Sequence, residues 1–319
     1  MFDDMDNKDK PMVSIQCLVY NHEPYLRQCL DGIVMQKTNF RFEAIVHDDC
    51  STDGSRKIIE EYAAKYPDII KPIYEKENQY SKNDGSLRKI VYAQLKGKYI
   101  AICEGDDYWI DPNKLQMQVD ALEANSDCSF CYTGFINVNE NGQKIRRPNY
   151  EHLMEVSHSG DILIDLLDGN FIMTCTTCFR RDVIMSELNA EVPCKYDYSL
   201  FLTASVLGKA HYIPSKTAAY RKTSTGAMAT QKDKVGDMFL RTQIYFYNGI
   251  AGRRLLADKR RFTHKMKILI IKVCLYNDSK YQKEFRRVLW RNKSLWPYLP
   301  WACLKRVIVS LIYKNKSEN

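Results

Sequence analysis

The chain has 319 residues, 45% hydrophobic and 27% charged, enough apolar material for a sizeable core and too much for a mainly disordered chain. No run of about 18 uncharged apolar residues is present, which excludes a spanning helix. The formal net charge of +8 is unevenly spread: residues 253–319 carry 18 Lys/Arg against four Asp/Glu, leaving an acidic front and a basic tail suited to different partners.

The opening MFDDMDNKDK is polar and lacks the basic and apolar stretches of a signal peptide, so a cytoplasmic location is expected. Residues 12–20, MVSIQCLVY, read as a strand buried on both faces. Asn21 then offers a cap and Pro24 a first turn for a helix over 24–36. FEAIVHD at 42–48 is a second strand, and SerThrAspGly at 51–54 opens a helix with Ile58, Ile59, Tyr62 and Ala63 as its apolar stripe. IIKPIYE at 69–75 is a third strand, residues 78–88 a polar loop, and a brief helix to Lys96 leads into the fourth strand, KYIAIC. Asp111 and Pro112 start a helix in which Leu115, Val119 and Leu122 recur at helical spacing.

Strand–helix alternation implies a parallel sheet covered by helices, with ligands outside the carboxyl ends of its strands. The pattern beyond Cys128 is mixed: a strand over 128–138, a polar loop, a helix near 162–167 and apolar segments ending in HYIPSKTAAYR. Three regions are therefore expected: a polar tail to residue 10, a catalytic domain over 11–230, and a basic, aromatic-rich helical appendage over 231–319. Of the eleven cysteines, two CxxC pairs, Cys128/Cys131 and Cys175/Cys178, nominate a four-thiolate zinc site. Residues three apart in a strand face opposite ways, however, which favours buried, reduced thiols.

Two acidic clusters lie at strand ends. Glu104-Gly105-Asp106-Asp107 follows KYIAIC; carboxylates packed this closely repel, and a hard divalent ion would relieve them while bridging to phosphate oxygens. His47-Asp48-Asp49-Cys50-Ser51-Thr52-Asp53-Gly54 follows the second strand. Asp49, Ser51, Asp53, Gly54 and Glu60 also fit a calcium-loop spacing, but that loop needs a helix where FEAIV reads as strand. Ser51 or Asp53 serves as a helix cap, which leaves Asp48 and Asp49 free to face a ligand.

SIQCLVYNHEPYLRQCLDGI, FEAIVHDDCSTDGS and GKYIAICEGDDYWIDPNKLQ, with CTTCFRRDV, YDYSLFL and YRKTSTG, resemble family 2 glycosyltransferases from Pro11 to Gly226. The resemblance implies a GT-A, Rossmann-like α/β fold and Mn²⁺ or Mg²⁺ as cofactor. It makes Leu18, Val19, Tyr20, Asn21 and Glu23 part of a nucleotide pocket, with Asp48 beside it. Asp49 would accept from the base, typically uracil, and Arg88 would lie near base or diphosphate. Asp106 would bind ribose or phosphates, Asp107 would ligate the metal, and Asp197 would be the general base. Glu104 replaces the first Asp of a DxD motif, Tyr196 stands before Asp197 where relatives carry Glu or Gly, and Thr223 replaces a histidine, a loss for which Arg221 could compensate.

The implied activity is inverting, hexosyltransferase-like transfer from a nucleotide-sugar, UDP-linked by resemblance, to a glycan or lipid-linked acceptor in surface polysaccharide synthesis. A non-catalytic nucleotide-sugar binding module is the alternative. A polymerase reading of GDD conflicts with the short chain and with basic residues gathered in the tail, so nucleic acid is not an expected partner. For that tail two readings stay open: Leu295 to Trp301 beside Lys305 and Arg306 docks peripherally on the inner face of a membrane, or it packs on the catalytic domain. Oligomeric state is not legible.

Overall fold

The computed structural model describes residues 10–82, 84–192 and 196–224, with a few positions between 239 and 246. The chain divides into two units, residues 1–191 with 195–230, and residues 192–194 with 231–319; the elements below belong to the first. The expected appendage and its membrane-facing aromatics lie outside the described residues.

Among the described residues one eight-stranded mixed sheet runs β3-β2-β1-β4-β7-β6-β8-β5. At its centre is β1 (Val13–Val19), whose alternate faces are both buried, with β2 (Phe42–Asp48) and β4 (Tyr99–Ile102) parallel on either side. β3 (Ile70–Tyr74) extends this parallel half beyond β2. Beyond β4 a single strand reverses: β7 (Thr177–Arg180) is antiparallel to both β4 and β6 (Cys128–Val138), so β6 runs in the direction of β1 again. β8 (Lys209–Arg221) runs parallel to β6 with register shifts near Gly134, and the two-residue β5 (Tyr108–Trp109) closes the order against it.

Three helices flank the parallel half, and a fourth packs against β6 and β8. α1 (Glu23–Val34) buries Leu26, Cys29, Leu30 and Ile33, the i, i+3, i+4, i+7 stripe of an amphipathic helix. It lies so close to β5 that a methyl group on Gly32 would come 2.8 Å from the Trp109 backbone nitrogen and oxygen. α2 (Ser55–Lys65) buries Ile58 and Ile59, α3 (Ser86–Gln94) buries Val91, and α4 (Lys114–Ala124) buries Leu115, Val119 and Leu122.

Several boundaries differ from the sequence reading. Asn21 does not cap α1, because its backbone is left-handed (φ 55°) and its side chain turns to the next loop. The helix expected from Asp111 begins at Lys114, since Asp111 Oδ1 accepts from Asn113 N–H and holds a turn first. Helix α3 takes Arg88 out of the expected loop, and the polar stretch after β6 contains the helix Pro148–Glu155. Cys131 and Cys178 face each other across β6 and β7, while Cys17 and Cys103 each lie 3.9 Å from Cys29 in the core. These thiols pack as small hydrophobic residues.

Candidate active site

The carboxyl end of β1 gathers the acidic turns. Gly105 N–H donates to Leu18 O (3.0 Å) and Asp49 N–H to Val19 O (2.9 Å), so consecutive residues of β1 hold the turn after β4 and the turn after β2. Parallel pairing produces this convergence, because it brings three strand ends to one edge. The fit at Gly105 is close: a Cβ there would stand 2.6 Å from His22 Nδ1 and 3.1 Å from Val19 Cγ2. Tyr20, the next residue on, is about half exposed at this edge.

The loops after β1 and β2 hold each other by reciprocal bonds. Asn21 N–H donates to Ser51 Oγ (3.0 Å), and Asn21 Oδ1 accepts from Thr52 N–H (2.7 Å). His22 N–H donates to Ser55 Oγ (2.9 Å), Glu23 N–H to Asp53 Oδ2 (3.0 Å), and Gly54 N–H returns a bond to Glu23 Oε2 (2.8 Å). Each loop thereby caps the other's helix. Asn21 and Cys50, with φ of 55° and 64°, are non-glycine residues in the left-handed region, one in each loop.

Asp48 and Asp49 are not free, contrary to the sequence reading. Asp48 is fully buried, with Oδ1 accepting from Ser51 N–H (3.1 Å) and Oδ2 from Arg56 Nε (2.8 Å). Asp49 accepts from the backbone N–H of Gln79 on Oδ1 (2.6 Å) and of Tyr80 on Oδ2 (3.0 Å). Any base reaching Asp49 would use the lone pairs these amides leave over.

The Glu104–Asp107 turn carries the strongest electrostatic signature. Burial, and then the nearby carboxylates of Asp106, Asp107 and Asp197, push the Glu104 carboxyl well above the usual carboxylate range. Burial and Asp106 push Asp107 the same way, opposed by the Arg221 amide and the Cys175 thiol. Asp107 points inward: it is 4% exposed, and its Oδ1 accepts from Arg221 N–H at 2.7 Å. Asp106 is the more open of the pair.

Arg221 does not reach toward a ligand. Its guanidinium donates to Asp106 O (2.7 Å), Asn139 O (3.2 Å), Glu140 O (2.9 Å) and Gln28 Oε1 (2.6 Å), and lies over the rings of Tyr25 and Tyr108. It pins the acidic turn, so the direct compensation for Thr223 expected from the sequence is not its role here. Thr223 itself is buried.

Asp197 begins the helix Asp197–Leu207. Its Oδ2 accepts from Thr174 Oγ1 (2.7 Å) and its Oδ1 from Tyr198 N–H (2.8 Å). Arg88 reaches Tyr196 O (3.5 Å) and Asn189 Oδ1 (3.4 Å), which sets it beside this helix start. Tyr80 joins the two sides: its amide binds Asp49, while Asp197 and Glu104 are near enough to its phenol to raise the pKa, after burial.

Sequence reasoning missed His22, Tyr80 and Thr174. His22 had the signal of lying inside the segment already singled out, and its Nδ1 is buried without a hydrogen-bond partner among the described residues. Thr174 was hidden in an apolar stretch read for its cysteines.

A parallel half with acidic turns at its strand ends, extended by a half of mixed strand direction, is the GT-A fold of nucleotide-diphospho-sugar transferases. The chain belongs to glycosyl transferase family 2, whose family model matches residues 14–186. An uncharacterized Mycobacterium tuberculosis protein is 35% identical over 215 residues, covering 67% of this chain and 60% of that protein. The chain thus spans about 60% of the length of such relatives. The putative teichuronic acid biosynthesis glycosyltransferase TuaG of Bacillus subtilis is 31% identical over 133 residues, 42% of this chain and 50% of TuaG. Among solved structures, S. aureus TarS 1–349 in complex with UDP-GlcNAc aligns with TM-score 0.51 at 15% identity, covering 82% of this chain and 81% of that one. The mannosyltransferase PcManGT from Pyrobaculum calidifontis, in complex with GDP-Man and Mn²⁺, aligns with TM-score 0.53 at 14% identity, covering 94% and 87%. At such identities these two structures speak to the fold alone.

Proposed function

We propose that the chain is an inverting, metal-dependent glycosyltransferase that moves a sugar from a nucleotide-sugar, a UDP-sugar first, onto a hydroxyl of a glycan or lipid-linked acceptor. The observation that carries this reading is the acidic turn Glu104–Asp107 with Asp197 nearby: burial first, and then neighbouring carboxylates, hold Glu104 and Asp107 well above the usual carboxylate range. Such a cluster fits a divalent cation. Among the described residues no three His, Cys, Asp or Glu side chains form a cage for a metal, so the cation would draw part of its shell from the diphosphate.

Asp106 is the better candidate ligand than Asp107, because it is more open and Asp107 is turned inward onto the Arg221 amide. A bound Mn²⁺ or Mg²⁺ would act as a Lewis acid on the departing diphosphate. Asp107 and Arg221 would hold the turn, and Asp49, Tyr20 and the end of β1 would border the nucleoside. Asp197, exposed and oriented by Thr174, would take the proton of the acceptor hydroxyl. That oxygen then bonds to the anomeric carbon as the bond to the diphosphate breaks on the opposite face, which inverts the centre. Support for the substrate class comes from TarS, which binds UDP-GlcNAc, from PcManGT, which binds GDP-Man and Mn²⁺, and from the name of TuaG.

Residues 11–230 would form the catalytic domain, with the basic residues 231–319 as an appendage meeting the inner face of a membrane where lipid-linked acceptors reside. Incubation with UDP-glucose, UDP-N-acetylglucosamine and GDP-mannose, with and without MnCl₂, tests the core of this reading. Manganese-dependent release of nucleoside diphosphate is expected. Binding without release would leave a binding module, and neither binding nor release would end the proposal.

A further inference from the structure

The 3₁₀ turn Thr174–Thr176, which leads into β7, is anchored carbonyl by carbonyl. Thr174 O accepts from Thr177 Oγ1 (2.8 Å) and Cys175 O from Trp109 Nε1 (2.9 Å). Thr176 O accepts from Gln118 Nε2 (2.9 Å) and Lys114 Nζ (3.2 Å). Thr176 also closes the turn on itself, its amide (2.9 Å) and its hydroxyl (2.6 Å) both donating to Met173 O. The donor side chains are buried and come from β5, α4 and β7. Consecutive peptide planes held in this way leave the turn little freedom. Its first residue, partly exposed, meets the candidate site: Thr174 Oγ1 donates to Asp197 Oδ2 at 2.7 Å.

Lys114 is the costly member of this set. Its ammonium is fully buried on neutral oxygens, Gln118 Oε1 (2.6 Å) and Thr176 O, with Nζ 5.2 Å from the centre of the Trp109 ring. An apolar side chain of similar length would fill that space without desolvating a charge. Packing alone therefore does not account for a lysine. What the ammonium adds is a charge-assisted donor on the last carbonyl of the turn.

We propose that the turn Thr174–Thr176 is a positioning element for sugar transfer, fixed at its buried end by Lys114 and holding the Asp197 carboxylate toward the acceptor hydroxyl through Thr174 at its other end. The proposal rests on the reading of Asp197 as the base. It adds Lys114, which touches neither Asp197 nor substrate, as a positioning residue.

Thr174→Val removes the donor and keeps the shape, Thr174→Ser keeps the donor, and Lys114→Met keeps a long buried chain without its charge. Steady-state kinetics would follow manganese-dependent release of nucleoside diphosphate from UDP-glucose, UDP-N-acetylglucosamine or GDP-mannose, whichever wild type turns over fastest. In Thr174→Val kcat should fall about 10–100-fold, the worth of a hydrogen bond to a charged group. KM should not change, and Thr174→Ser should restore most of the rate. Lys114→Met should lower kcat about 3–10-fold at unchanged KM. The double variant should be no slower than Thr174→Val alone, since both changes act through one contact. Should Lys114→Met unfold, Trp109→Phe, which removes the donor to Cys175 O, takes its place in the cycle. Wild-type kcat in either single variant, a loss confined to KM, or losses that multiply in the double variant overturn this inference and leave the nucleotide-sugar reading intact. Wild-type protein that releases no diphosphate overturns both.

Discussion

Asp107 and Arg221 bear on how much of an acidic motif touches ligand. Both are conspicuous in the sequence, yet they contact each other, nearby backbone and Gln28, so they set the shape of the turn that presents Glu104 and Asp106. Asp197 is the contrasting case, exposed and tied through a single side-chain donor, Thr174. Asp197→Asn keeps the size and the Tyr198 contact but removes the proposed base. Transfer should fall by about 10²–10⁴-fold, with nucleotide-sugar affinity unchanged by calorimetry. Wild-type turnover in that variant would remove Asp197 from the chemistry.

At the scale of elements, strand and helix order in the parallel half was legible because fully buried strands and amphipathic helices write different periodicities. Helix starts were less so. Asn21, a cap by composition, instead accepts from Thr52 of a loop 31 positions away, a partner that no local pattern shows. Lys114 is a sharper case: it sits fully buried in α4, bonded to Gln118 Oε1 (2.6 Å), with burial pulling its amine down to about 8. Nothing in its spacing distinguishes it from a solvated lysine. The site was half legible, since carboxylates at strand ends announce themselves, while Tyr80 depends on which way a loop folds.

Gly32 yields a prediction of the same scale. Ala is favoured over Gly inside a helix by about 1 kcal/mol, so Gly32→Ala would stabilise an isolated α1. In the protein the added methyl meets Trp109 backbone at 2.8 Å, which cannot swing aside as a side chain would. The contact should win, with a net loss of about 1–3 kcal/mol in urea unfolding. A gain in stability would show that α1 and β5 are less tightly packed than described.

For the whole molecule, the raised carboxyls link stability to pH. Unfolded, Glu104 and Asp107 ionise near pH 4; folded, they retain protons to higher pH. The folded form therefore binds more protons across that window, and stability falls as pH rises from about 4 through the folded values. Below the window no such cost exists, and above it the cost is complete. A cation seated among these groups would offset the loss. The rise in melting temperature caused by MnCl₂ should accordingly grow with pH through this window and shrink in Asp106→Asn. An increment independent of pH would separate the cation from the acidic turn.

The crossed bonds between Asn21–Glu23 and Ser51–Ser55 reach further than the candidate site. α1 takes acceptors for its start from the loop that begins α2, and Gly54 at the start of α2 takes one from Glu23 in return. Fraying at one start should therefore weaken the other, and the two βα units are expected to melt together. The edge that would receive a nucleotide is in this way assembled or dismantled as a pair.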